Sequence, residues 1–165
     1  MTLLTTEVFD SPDLNKAVVV FAADRRISLS GQPYDTREKI FRVPGAPAGI
    51  GYFGLAEFPA GASKRSMSAW LVEFLSSRRS TDSLADLASE LASALNSAVP
   101  EVCRRRDISG FHLAGFDKRD GTVFWYVRNV ADDGRTLFGE YQPREDFKAR
   151  DAPRLKVGER MIYRN

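Results

Sequence analysis

The sequence has very little cysteine and histidine, the residue types that build covalent and metal cross-links. Cys103 is the single cysteine and His112 the single histidine among 165 residues. One cysteine cannot form an internal disulfide, and one residue of each type cannot complete the usual four-ligand zinc sites. We therefore expect a protein of a reducing compartment, the cytoplasm, with no metal site and no cofactor.

Long apolar runs and an excess of one charge sign are also absent. No run approaches the roughly 18–20 apolar residues that cross a bilayer, and we expect no cleavable signal peptide. Lys and Arg number 24 against 22 Asp and Glu, for a net charge of +2. This balance gives no support for a nucleic-acid or membrane partner, and we interpret the basic run Arg104–Arg106 as solvated surface.

The length and composition are those of one ordinary globular domain. The chain of 165 residues is 43% hydrophobic and 28% charged, with no internal repeat or linker-like stretch. A chain of this length buries a substantial core. We therefore expect a single domain over residues 1–165.

The first third of the chain predicts two hairpins. Residues 2–9 are β-prone, 10–16 are turn-rich, and the continuous apolar run Ala17–Ala23 is typical of a strand covered on both faces. Residues 29–37 are interpreted as a polar loop. The next strands, Lys39–Val43 and Gly49–Phe58, are joined by a segment rich in proline and glycine.

The middle of the chain predicts two amphipathic helices. The first has a single apolar stripe at helical spacing, formed by Met67, Trp70, Leu71, Phe74 and Leu75. The second is capped by Thr81 or Ser83 and ends before Pro100. Its apolar stripe is formed by Leu84, Leu87, Leu91 and Leu95.

A further hairpin and a looser carboxyl-terminal part complete the pattern. Strands over 110–116 and 122–127 flank a turn that ends in Asp-Gly, a strong reversal signal. After Asn129 the sequence loosens into charged residues, with a last short strand predicted near 157–163. The predicted class is α+β, in which helices cover stacked antiparallel sheets.

Four short motifs occur in a fixed order between residues 2 and 130. They are Ala22-Ala-Asp24-Arg25-Arg26, Lys39-Ile40-Phe41, Phe53-Gly54-Leu55 and Ala114-Gly115-Phe116-Asp117. In this order they resemble the proteasome β-type subunits and their bacterial relatives, which are N-terminal-nucleophile (Ntn) hydrolases. The resemblance implies an αββα sandwich of antiparallel sheets flanked by helices. Residues 131–165 are unassigned, and we expect the carboxyl-terminal part to be shortened or incomplete.

The same resemblance implies a threonine peptidase or amidohydrolase. In that family the free α-amine of an N-terminal threonine is the general base for its own hydroxyl. Asp24 would hold the ammonium of Lys39, which lowers the hydroxyl's pKa, and the amide of Gly54 would stabilise the oxyanion. The family's later glycine-serine motif and second acid have no match after Asn129.

Three threonines compete for the role of nucleophile: Thr2, Thr5 and Thr6. In an antiparallel hairpin whose turn spans 10–16 and is centred on 13, Asp24 lies opposite Thr2. The other two threonines would require a later turn centre, so Thr2 is preferred. Removal of Met1 would expose its amine.

The resemblance also implies how a peptide or amide substrate is bound. The backbone of Ser28 would contact an extended substrate, with Arg26 close to the acid. The pocket would be lined by Tyr52, Ile27 and Ala56, and a tyrosine there would favour small residues.

Two further expectations remain open. The alternative hypothesis is an inactive scaffold that keeps Met1 and serves as a binding or self-assembly module, and either function is compatible with a homo-oligomer. His112 is expected to be structural and Cys103 to be an inert thiol. The acidic pairs Asp132–Asp133 and Glu145–Asp146 are interpreted as solvated loop rather than as a glycosidase pair.

Overall fold

The structure is a computed structural model, and it describes residues 3–11, 16–29, 32–78, 83–148 and 160–164. The described residues form a mixed architecture of antiparallel sheets and a few helices, as the predicted α+β class requires. In the described part of the chain, no helix combines the length and hydrophobicity needed to span a membrane.

The strands are, in chain order, β1 Leu4–Ser11, β2 Lys16–Ala23, β3 Arg26–Leu29, β4 Gln32–Thr36, β5 Ile40–Arg42, β6 Ala48–Phe53, β7 Glu57–Ala60, β8 Ser63–Ser66, β9 Gly110–Asp117, β10 Gly121–Val130, β11 Leu137–Lys148 and β12 Arg160–Arg164. The helices are α1 Met67–Ser76, α2 Leu84–Ala98 and α3 Glu101–Arg104.

A five-stranded antiparallel sheet, in the order β11-β10-β9-β6-β5, lies at the centre of the structure. The predicted third hairpin is confirmed as β9 and β10. Gly121 begins the return strand with a φ of 74°, a left-handed backbone that glycine adopts without strain. Large apolar side chains alternate along these strands and therefore cover both faces of the sheet.

Both predicted helices are confirmed, and they pack on one face of the central sheet. Trp70 and Leu71 of α1 and Leu91 of α2 are buried in one cluster with strand residues. Ser83 is the N-cap of α2, and its hydroxyl oxygen accepts a hydrogen bond from the Asp86 amide at 3.2 Å. The capping interaction satisfies an amide that has no partner inside the helix.

The second sheet covers the other face of the central sheet, in the order β12-β1-β2. Val8 of β1 is buried against Phe124 and Tyr126 of β10, and Phe21 of β2 packs on the same cluster. The approach is close where the central sheet has glycine. A Cβ at Gly49 would lie 2.7 Å from the Phe21 ring, so glycine allows the two sheets to approach.

The expectation that β2 is covered on both faces is wrong. Val19 and Phe21 face the core, whereas the side chains of Val18 and Val20 are 53% and 45% exposed. The described helices pack on the central sheet instead. The continuous apolar run therefore does not reflect two-sided burial among the described residues.

Three segments were assigned wrongly from the sequence. The polar loop 29–37 is largely the β3–β4 hairpin, and the strand predicted to reach Phe58 ends at Phe53, before a separate β7–β8 hairpin. After Asn129 the chain forms the twelve-residue strand β11. The predicted last strand is partly confirmed by β12.

Candidate functional site

The β1–β2 hairpin brings the start of β1 next to Asp24. The amide of Asp24 donates a hydrogen bond to the Leu3 carbonyl at 3.0 Å, directly after the pair Leu4–Ala23. The predicted register, with Asp24 opposite Thr2, is therefore wrong by one residue. The strands continue to the pair Ser11–Lys16, which moves the centre of the turn. Thr2 itself lies outside the described residues.

Lys39 precedes β5 and is almost completely buried. The side chain and backbone together are 2% exposed, and the Lys39 carbonyl accepts a hydrogen bond from the Tyr52 amide at 3.0 Å. Burial lowers the pKa of the ammonium group, and the negative charge of Asp24 opposes this shift. The opposing effect requires the Asp24 carboxylate to lie near the ammonium.

The start of β1 packs against the same place. A Cβ at Gly51 would lie 2.7 Å from Leu4 Cδ1 and 3.5 Å from the Lys39 carbonyl oxygen. Leu4 therefore lies beside the backbone of Gly51 and Lys39. The structure thus brings together Asp24, Lys39 and the first described residues of β1.

Gly54 follows β6 in a conformation that other residues avoid. Its φ is 83°, in the left-handed region. A Cβ there would lie 2.7 Å from Ser109 Cα and closer still to the Ile108 carbonyl oxygen. Both the backbone conformation and the contact with residues 108–109 therefore require glycine.

Asn129 holds the loop that packs against Gly54. Its side-chain amide donates to the carbonyls of Arg104 at 2.7 Å and Asp107 at 2.8 Å. Its side-chain oxygen accepts from the Ser109 amide at 2.8 Å. These three bonds fix the loop from β10, and Asn129 is a residue that the sequence did not single out.

Comparison of the chain with protein-family models, curated proteins and solved structures found no match.

The predicted binding residues Arg26, Ile27 and Ser28 lie on β3, next to the acid. Their backbones pair with β4, and the Arg37 amide donates to the Arg25 carbonyl at 2.9 Å. In the described residues β3 pairs with β4 alone, in a two-stranded sheet. Their side chains lie outside the part of the chain that the structure describes.

The other two predicted binding residues differ in their surroundings. Tyr52 is 1% exposed, and its ring centroid lies 6.1 Å from that of Phe111 in the core beneath the helices. Ala56 is partly buried, and its carbonyl accepts a hydrogen bond from the Met67 amide at 2.8 Å. Tyr52 therefore belongs to the core, whereas Ala56 contacts the start of α1.

Arg37 is a second residue that the sequence interpretation missed. Its guanidinium donates to Asp35 at 2.8 Å and to Glu57 at 2.7 Å. These hydrogen bonds raise the pKa of Arg37, the bond to Asp35 most, and therefore hold it charged. The sequence could have indicated Arg37 by its spacing, because it lies two residues before Lys39 and alternate side chains of an extended chain point to the same side.

His112 is buried between the sheets, as a structural role predicts. Its Nδ1 lies 3.0 Å from the Thr6 hydroxyl, and the rings of Phe53, Phe124 and Tyr126 surround it edge-on. Burial, with a smaller effect from Arg128, lowers its pKa to about 3. The neutral imidazole therefore links β1 to β9.

The acidic residues after β10 form ion pairs at the sheet edge. Asp132 pairs with both Arg128 and Arg144 beside a cavity of about 360 Å³, and Glu145 pairs with Lys148 at 3.2 Å. The described residues contain no group of three or more side chains that could hold a metal ion. Cys103 is buried.

Proposed function

We propose that this chain is a threonine-type hydrolase of peptide or amide bonds, similar in fold and mechanism to proteasome β-type subunits. The proposal is carried by the burial of Lys39 beside Asp24 at the start of β1. Burying a lysine is costly, and sites with such shifted groups are often functional. The proposal is also supported by a helix layer on one face of the central sheet and a second antiparallel sheet on its other face.

In the proposed mechanism Thr2 becomes the nucleophile after removal of Met1. Its free amine, whose pKa would be near 8, accepts the hydroxyl proton as the oxygen attacks the carbonyl carbon. The ammonium of Lys39 lowers the pKa of that hydroxyl by its charge. The negative charge of Asp24 raises the pKa of Lys39 against the larger lowering by burial.

The amide of Gly54 would stabilise the oxyanion that forms on the attacked carbonyl. An amide acts in this way when its direction is set before the reaction. The left-handed backbone of Gly54 and its contact with Ile108 restrict that direction. The protonated threonine amine then donates its proton to the leaving amine as the C–N bond breaks, which leaves an acyl ester on the Thr2 oxygen. Water attacks this ester and gives a proton to the threonine amine, which returns it to the Thr2 oxygen as the ester bond breaks.

Intact-mass spectrometry with an epoxyketone probe tests the proposal directly. We expect loss of Met1, a covalent adduct at Thr2 and turnover of fluorogenic peptides. Lys39→Met keeps the length of the buried stem but removes the charge, so it should abolish both adduct and turnover. Lys64→Met is the matched control, because Lys64 is exposed on β8 and should leave both unchanged.

Two outcomes would overturn the proposal. One is a protein from which Met1 has been removed but which neither reacts with the probe nor hydrolyses any peptide. The other is equal activity of Lys39→Met and the wild-type protein, with both folded by circular dichroism.

A second candidate function is self-assembly on the same scaffold, without hydrolysis. The observation that favours it is the exposure of Val18 and Val20 on the outer face of β2, where a second copy would bury them. Sedimentation velocity tests it: Val18→Lys should dissociate the oligomer, and the control Val72→Lys on α1 should not. A monomeric wild-type protein at micromolar concentration would exclude this function.

A further inference from the structure

A cavity of about 360 Å³ lies where β10 ends and β11 runs beside it. The pairing of these two strands shifts in register between Arg128 and Val130. Such β-bulges bend a strand and are frequent beside functional sites. The cavity has the volume of a site for a small molecule or for a single amino-acid residue.

Part of the lining is apolar. Val130 at the end of β10 and Phe138 and Pro143 on β11 contribute to it. Phe138 is 39% exposed, so a large apolar side chain remains in contact with water. A ligand with an aromatic or aliphatic group would cover this surface, which is favourable.

The charged part of the lining consists of two arginines and one acid. Asp132 pairs through Oδ1 with Arg128 and through Oδ2 with Arg144. The Asp132 side chain is itself 65% exposed. The two guanidinium groups therefore already hold a carboxylate at this place, and it is one that water can reach.

Arg128 is fixed by the ring beneath it. Its guanidinium carbon lies 4.6 Å from the centroid of the Tyr126 ring, and its side chain is only 18% exposed. Asp132 accepts from Nη2 of Arg128 and from Nη1 of Arg144. Because a guanidinium has further N–H donors on its other nitrogens, both arginines can also donate to a second oxygen acceptor.

The loop that carries Asp132 is held together by the next residue. The Asp133 carboxylate accepts from the amides of Arg135 and Thr136, both at 2.8 Å. The side chain of Asp132 instead forms its ion pairs with β10 and β11. The turn can therefore persist when Asp132 leaves the arginines.

Charge decides which anion suits the cavity. The lining carries two positive charges and one negative charge, and Asp146, outside the lining, lies 3.6 Å from Arg144. A singly charged carboxylate matches this balance better than a doubly charged phosphate, which both acids would repel more strongly.

We infer that this cavity binds a carboxylate attached to an aromatic or other apolar group, and that Asp132 competes with that carboxylate for Arg128 and Arg144. The apolar group of the ligand would contact Phe138 and Pro143. The inference does not depend on the proposed hydrolase function. The cavity lies at the β11 edge of the central sheet, whereas the proposed catalytic residues lie next to β5 and β6, at the other end of the strand order.

NMR titration of the full chain with N-acetylphenylalanine tests the inference. We expect its Kd to be about tenfold or more below those of its amide, which lacks the charge, and of N-acetylglycine, which lacks the ring. Arg144→Gln, at a half-exposed position, should raise the Kd about tenfold without affecting the fold. Arg135→Gln is the matched control, because it removes the same charge from an exposed residue of the same loop, outside the lining, and should leave the Kd unchanged.

Asp132→Asn tests the competition separately. Asparagine has the size of aspartate but no charge, so the arginines would be released for the ligand. Because the ion pairs are exposed, we expect the Kd of N-acetylphenylalanine to fall by about threefold. A Kd that is equal or higher in Asp132→Asn would refute the competition.

A tripeptide probe, acetyl-Ala-Ala-Phe, distinguishes the two sources of such a carboxylate. Tighter binding of the tripeptide would support the inference and assign the ligand to a peptide carboxyl terminus, whereas equal binding would support it and assign the ligand to a small molecule. No binding of either probe at millimolar concentration would overturn the inference. Equal Kd values for N-acetylphenylalanine and its amide, or for Arg144→Gln and Arg135→Gln, would also overturn it.

Discussion

Gly54→Ala tests the local geometry on which the proposed site depends. The substitution adds one methyl group to a residue with a φ of 83°. The new Cβ would lie 2.7 Å from Ser109 Cα and 2.9 Å from the Ile108 carbonyl carbon. Both are backbone atoms, so neither can move away by changing a rotamer.

The expected loss of stability has two parts. A left-handed backbone costs a residue with a Cβ about 1–2 kcal/mol. The forced shift of residues 108–109 adds about 1–3 kcal/mol, the usual cost of overpacking. We therefore expect Gly54→Ala to lower the free energy of unfolding by about 2–5 kcal/mol. A loss of about 3 kcal/mol corresponds to a fall in Tm of roughly 6–12 °C for a chain of this length.

Gly61→Ala is a matched control for this substitution. Gly61 also has a positive φ, 62°, but nothing lies within 4 Å of the position that its Cβ would occupy. It should therefore lose only the backbone part, about 1–2 kcal/mol. Urea denaturation of the two variants and the wild-type protein, followed by circular dichroism, gives the three free energies.

The difference in unfolding free energy between the two variants tests the contact between Gly54 and residues 108–109. If Gly54→Ala and Gly61→Ala lose the same free energy with unchanged urea dependence, the close contact between Gly54 and residues 108–109 does not exist in solution. Residues 108–109 would then not orient the Gly54 amide.

Two further predictions concern stability. Because burial lowers the pKa of His112 to about 3, the unfolded state takes up a proton first as the pH falls below 6.5, and stability rises with pH between these values. His112→Gln should reduce the loss of unfolding free energy between pH 7 and pH 5 by about 2 kcal/mol in urea titrations, and equal losses in both proteins would contradict the assignment. Ser83→Ala removes the cap of α2 and should cost about 1 kcal/mol in the same assay, whereas Ser89→Ala, on the exposed face of that helix, should stay within about 0.5 kcal/mol. Equal effects of the two serine substitutions would exclude the capping interaction.

Segments with strong local signals were predicted well. The apolar stripe of α1, the Ser83 cap and the Asp-Gly turn before β10 are each set by residues within a few positions of one another. The order of motifs also predicted that Asp24 and Lys39 would meet, and this stays a prediction; the negative charge of Asp24 raises the pKa of Lys39 against the effect of burial.

Segments at sheet edges were predicted poorly. The strand β11 has Pro143 and exposed charged residues such as Glu140 and Arg144, which are typical of both loops and edge strands. Only its pairing with β10 and the burial of Tyr141 and Phe147 distinguish the two. These contacts join residues that are far apart in the sequence, so a pattern of neighbouring residues does not predict them.

The sequence by itself determined the helices α1 and α2 and the hairpins β1–β2, β5–β6 and β9–β10, because hydrophobic period, caps and turn residues act over short distances along the chain. Only the tertiary structure decided the register of β1 against β2, the exposure of one face of β2 and the burial of Lys39. Each of these depends on which distant residues approach in space. That approach is set by the packing of whole sheets and helices, which no local pattern specifies.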